Sequence, residues 1–300
     1  MPKTTQADEA MAEADRLWHK GDLHGAGECF DVARTLYRTV GDRQGEAQVV
    51  ERLAKLAWQS QHLTTAGSLF VEARSLFAEA NDHQGQARVL LHLGKLAHYQ
   101  KRVEEAHSFL ESARDQFRTI GDLVGEALAE HHLGLVALDN GRDDLALEWL
   151  EHARALAQES GDNIAEANVL QVLAILDQRL GHTDRAHEAF DATIELFRTT
   201  GDRLGEAAAQ VGLGNLLKAV CGSPEAARQA FTRAMHLYAA TGHLMGEAES
   251  LLELARLESA ADSFHARRHY ERAAELFKKV GCTEKQAICQ RETMSLRSQG

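Results

Sequence analysis

Proline is almost absent: only Pro2 and Pro224 occur in 300 residues. Proline breaks helix interiors, so its scarcity leaves the chain free to be helical nearly throughout. Aromatic residues are also sparse, at 6%, which makes any core aliphatic. The four cysteines, Cys29, Cys221, Cys282 and Cys289, form no CxxC pair and are too scattered for a disulfide framework. A reducing compartment follows. No basic run interrupts a net charge of −12, so no nucleic acid partner is expected. The opening MPKTTQADEA carries no apolar signal region. No apolar stretch reaches the ~20 residues that cross a bilayer. The expectation is a cytoplasmic protein with no membrane partner.

Catalytic and ligand-binding signatures are missing as well. GxSxG, HExxH and P-loop spacings do not occur. Gly212-Leu213-Gly214 is a fragment of a dinucleotide fingerprint without its third glycine. His265 and His269 have a helical spacing that can bind zinc, but Arg267 and Arg268 lie between them and no further ligand sits at a motif distance. His131 and His132 are adjacent and point in different directions on a helix. The expectation is no enzyme, no cofactor and no metal.

What the chain has is repetition. Gly41-Asp42, Asn81-Asp82, Gly121-Asp122, Gly161-Asp162 and Gly201-Asp202 recur every 40 residues. The register continues at Gly242-His243 and Gly281-Cys282. A Gly-Glu-Ala block follows at Gly45, Gly125, Gly205 and Gly246, with drifted copies at Gly85 and Ala165. Glycine after a helix can take the left-handed conformation that closes the last turn. Aspartate beside it can accept from the free N–H groups of the next helix. The glutamate four residues on lies in the first turn, where the helix dipole favours an anion. The small residue before it is expected to allow close approach of the preceding helix.

Within each unit the apolar spacing is helical. Val89, Leu90, Leu93, Leu96 and Ala97 share one face. Val103, Ala106, Phe109, Leu110, Ala113 and Phe117 share a second, after a polar turn at Gln100-Lys101-Arg102. Other units turn at Lys20-Gly21-Asp22, Asn140-Gly141-Arg142 and Leu180-Gly181-His182. Ser223-Pro224 reads as a serine cap with proline at the first helical position. The expected units are 6–40, 42–80, 82–120, 122–160, 162–200, 202–241 and 243–280, followed by a capping helix at 283–297. A single helix pair cannot bury its own apolar faces, so stability should be collective along the array.

This pattern resembles the tetratricopeptide repeat. Leu93-Gly94, Leu133-Gly134 and Leu213-Gly214 match that family's Leu-Gly in the first helix. Its second-helix trio matches as Ala26, Phe30, Ala33, then Ala66, Phe70, Ala73, and so on to Ala266, Tyr270, Ala273. Two features depart: the unit has 40 residues rather than the family's usual 34, and Gly-Asp stands where its terminal proline would be. The long form looks like the arrays of G-protein-signalling and polarity adaptors, and like those of bacterial peptide sensors. Arginine outnumbers lysine, which hints at a bacterial source. The resemblance implies an all-α, right-handed superhelical solenoid running through 1–300, with first helices lining a concave groove. It implies a protein-binding scaffold or adaptor. The alternative is a ligand- or peptide-sensing array acting on a separately encoded output protein.

At 100° per residue, the groove face is Lys55 and Trp58 in the second unit; Arg88, Leu91, Lys95, His98 and Tyr99 in the third; Leu128, His131, Leu135 and Leu138 in the fourth. It continues with Gln171 and Ile175, then Val211, Asn215 and Lys218, then Arg256 and Ala260. Apolar residues on a face of this kind mark interaction sites, unless they pack on neighbouring first helices instead. With the lysines and arginines beside them, they point to a partner protein or peptide with apolar anchors and some acidic residues. Self-association through a terminal repeat is a third reading.

Overall fold

A computed structural model describes residues 3–219, 223–259 and 262–298; Pro2, Cys221 and Ala260 lie outside them. Among the described residues, all regular structure is helical. The chain divides into two compact units, Met1–Ser160 and Gly161–Gly300.

The first unit holds α1 (Lys3–His19), α2 (Leu23–Val40), α3 (Arg43–Gln59), α4 (Leu63–Glu79), α5 (His83–Tyr99), α6 (Val103–Ile120), α7 (Leu123–Asp139) and α8 (Asp143–Ser160). Odd and even helices pair in chain order, and each even helix also packs on the next odd one. The second unit holds α9 (Asn163–Leu180), α10 (Thr183–Thr200), α11 (Arg203–Ala219), α12 (Pro224–Thr241), α13 (Leu244–Glu258), α14 (Ser263–Lys279) and α15 (Thr283–Ser298), packed by the same rule.

The Gly-Asp junction works as its chemistry dictates. Gly41 has φ 76° and Gly121 has φ 75°, both left-handed. At the first junction the Asp42 N–H returns to the Tyr37 carbonyl at 3.0 Å, closing α2. The Asp42 carboxylate then accepts from the Gly45 N–H at 2.9 Å, opening α3. Asp82, Asp122, Asp162 and Asp202 cap in the same way. Ser223 does not: its side chain makes no cap bond, and Pro224 alone marks the start of α12.

The glycine of the block is needed for space. A Cβ on Gly125 would lie 2.2 Å from the Phe117 ring, and one on Gly205 2.6 Å from Phe197. The last aromatic of each of these even helices thus seats on the first turn of the next odd helix. Glu46 and Glu126 are buried and meet Arg38 at 2.7 Å and Arg118 at 2.6 Å. The first-turn glutamate therefore clamps the preceding helix as well as facing the dipole. Gly94 and Gly134 receive Leu110 and Leu150 in the same close manner within their pairs. Cys289 is buried among Tyr270 and Phe277, with Cys282 packed beside it, which ties α15 onto α14.

Candidate functional site

In the first unit the odd helices carry the face singled out above, and charged pairs stitch it across the repeats. Arg52 of α3 reaches Asp15 of α1 at 3.3 Å. Arg88 of α5 donates twice to Glu51 of α3, and Lys55 lies 2.6 Å from the same carboxylate. His92 Nε2 stands 3.5 Å away. Burial pushes the Glu51 carboxyl up, but His92, Arg88 and Lys55 outweigh it and hold it well below the usual carboxylate range. Met11, Gln48, Glu51, Arg52, Lys55 and Arg88 enclose a recess of about 420 Å³.

Trp58 packs edge-on against Phe70 and lies 6.4 Å from Tyr99. Tyr99 is 54% exposed, and its hydroxyl donates to Gln61 at 3.2 Å. His98 of α5 meets Asp139 of α7 at 3.0 Å. Two of the apolar residues, Leu91 and Leu138, are buried. Leu91 belongs to the core with Leu90 and Leu133 and offers no surface. Leu128 is 39% exposed, and Leu135 is half-buried. On the α7 face singled out above, these two carry the apolar surface.

Lys95 differs from the other cations. Lys55 and Arg88 share Glu51, whereas among the described residues Lys95 has no ion-pair partner. Burial, and then the charge of Lys55, draw its ammonium below the ordinary lysine value. His131 and His132 do not point apart: their rings meet edge-on at 5.2 Å, and the Lys95 charge bears on both.

In the second unit, Ile175 of α9 is 45% exposed and Gln171 is half-buried. Val211 of α11 packs against Phe231 and Leu254. Asn215 is exposed. Lys218 and Arg256 both bind Glu253, at 2.5 and 2.6 Å, so neither is a free cation. His265 and His269 are each taken by a carboxylate, Asp262 at 2.6 Å and Glu258 at 2.9 Å. Among the described residues, no three potential metal ligands come together.

A larger open cleft of about 790 Å³ lies on the other side of the first unit, between α4 and α6. Gly67, Val71, Leu93, Leu96 and Phe109 line it, together with Arg102 and Glu105. Sequence periodicity did not single it out. The readable signal was the run Leu63–Val71, which carries no charge on an otherwise charged surface. Among the described residues, no helix is long and apolar enough to cross a membrane.

Residues 125–199 match the model of the tetratricopeptide repeat family, and residues 183–299 match that of the soluble NSF attachment proteins. No curated protein matches the sequence significantly. Among solved structures, the chain is similar to a signal-transduction ATPase with a tetratricopeptide repeat sensor from Pyrococcus horikoshii. The TM-score is 0.71 at 15% identity over 93% of this chain and 44% of that one. The chain thus spans less than half of that ATPase. It is also similar to aspartyl phosphate phosphatase F from Bacillus subtilis, with a TM-score of 0.70 at 14% identity over 92% and 70% of the two chains. A third likeness is to the Rap conjugation gene regulator of plasmid pLS20 in complex with the Phr* peptide. There the TM-score is 0.64 at 14% identity over 92% and 75%. Paired helices in register every 40 residues, the left-handed glycine junctions and these matches give the chain the tetratricopeptide repeat fold, with the family's own model matched over residues 125–199.

Proposed function

We propose that this chain is a non-enzymatic scaffold that holds a protein or peptide segment along the odd helices of its first unit. The observation that supports this most is Lys95: a half-buried ammonium on α5 without a counter-ion among the described residues, on a face that also carries the Trp58–Tyr99 aromatic pair and the exposed Leu128. Leaving a cation in that state is unfavourable unless an anion arrives. The favoured guest is a segment with apolar anchors and at least one carboxylate. The peptide bound to the pLS20 regulator, on a similar fold, is consistent with a peptide guest.

A random peptide library selected on the full chain tests this. Enriched peptides are expected to combine leucine, isoleucine or phenylalanine with aspartate or glutamate. Lys95→Glu should weaken the best of them by at least about tenfold, or about 1.4 kcal/mol. Leu128→Asp should do the same, whereas Val71→Asp on α4 should change nothing. Enrichment of basic peptides, or wild-type binding by both odd-helix variants, would refute the assignment.

A further inference from the structure

This inference rests on the reading of α3, α5 and α7 as the partner face. We infer that capture of an acidic segment at Lys95 is coupled to proton uptake by the neighbouring imidazoles of His131 and His132.

The case starts from what surrounds those rings. His132 feels His131 on its own helix, and Lys95, His98 and His92 on α5. Every one of these is a cation or becomes one. His131 feels Lys95. The nearby carboxylates are already committed. Glu51 of α3 is held by Arg88 and Lys55, and Asp139 of α7 by His98 and Lys101. Glu130 of α7 faces another way, toward Arg118 of α6 and His152 of α8. His131 Nδ1 is buried and has no hydrogen-bond partner among the described residues.

A cluster of groups that are positive or can become so resists protonation while no anion is bound. Burial, and then Lys95, push the His131 imidazole down to about 4. Burial and its four neighbours push His132 well below the ordinary histidine value. A bound carboxylate supplies the anion this set lacks and makes the imidazolium favourable. Binding must then take up protons, and affinity must rise as pH falls. If the guest restores His131 to its ordinary value of about 6.5, binding tightens about tenfold between about pH 7.5 and about pH 5.5. The guest's own glutamates, with an ordinary value of about 4.3, stay ionised over that range.

The experiment uses the best peptide from the library selection, labelled with fluorescein, and reads its affinity across that range by anisotropy. The expected result is the tenfold rise in the wild-type protein and a flat profile in His131→Gln/His132→Gln. His24→Gln, on the exposed start of α2, should keep the rise. Circular dichroism checks that each variant is folded. Should the double variant fail to fold, the histidine ring resonances of the wild-type chain decide the matter. Their titration midpoints should move up when the peptide is added. Tight binding with no pH dependence, or unmoved midpoints, overturns the coupling and leaves the partner face standing. No binding by any library peptide overturns both.

Discussion

Phe117→Ala is expected to lower the unfolding free energy by about 3–5 kcal/mol, the usual loss for emptying a buried aromatic site. Phe117 is 3% exposed at the end of α6, and its ring lies where a side chain on Gly125 would have to be. Gly125→Ala alone should therefore destabilise. Overpacking against a fixed ring costs about 1–3 kcal/mol, and alanine's helix preference offsets about 1 of that. In the Phe117→Ala background the clash is gone and only the helix preference remains. The same Gly125→Ala change should then stabilise by about 1 kcal/mol, a reversal of sign that a double-mutant cycle detects. Urea unfolding followed by circular dichroism gives all four values. Equal destabilisation by Gly125→Ala in both backgrounds would show that the glycine serves something other than the ring.

Glu130→Leu should go the other way and stabilise by about 1–4 kcal/mol at neutral pH. Glu130 occupies a core position where four other repeats carry Val50, Leu90, Leu170 and Leu251, and one carries Gln210. Its side chain is fully buried, and neither oxygen has a hydrogen bond among the described residues. His152 Nδ1 at 3.4 Å and Arg118 Nη2 at 3.6 Å are too distant to satisfy it. Both cations keep a place without it: Arg118 binds Glu126 at 2.6 Å, and His152 is largely exposed.

The pH dependence follows from the direction of the shift. Burial raises the Glu130 carboxyl, with His152 opposing. A raised folded-state value means the group favours folding when protonated. That contribution is lost as pH climbs through the folded-state value. The advantage of leucine should therefore be small in acid and full at neutrality. Thermal unfolding across that range measures it. A variant less stable than wild type at neutral pH would mean the ion pairs outweigh the burial penalty.

Much of this architecture can be read without coordinates, because each repeat says the same thing seven times. The Gly-Asp junctions, the odd-even pairing and the buried trio at Ala106, Leu110 and Ala113 all follow from spacing and chain chemistry. The site is less legible. An angular projection assigns Leu91 and Leu138 to the open face, yet both are buried, because it cannot see how closely neighbouring odd helices stand. It also places Lys218 and Arg256 on that face, where it cannot see that Glu253 reaches both. A further signal lies in the arginines that precede the junctions. Arg38, Arg118 and Arg198 each stand three residues before the junction glycine and meet the first-turn glutamate beyond it. At the junction between the second and third repeats, Ala78 takes that arginine's place and Gln86 replaces the glutamate.

The partner face has a direct measurement. Methyl-labelled protein titrated with the best library peptide reports which side chains a guest touches. The account predicts shifted Leu128 and Leu135 methyl signals, intermolecular contacts to both, and an undisturbed Val71. Changes confined to Val71, Leu63 and the rest of the cleft between α4 and α6 would place the guest on the opposite side of the unit and contradict the account.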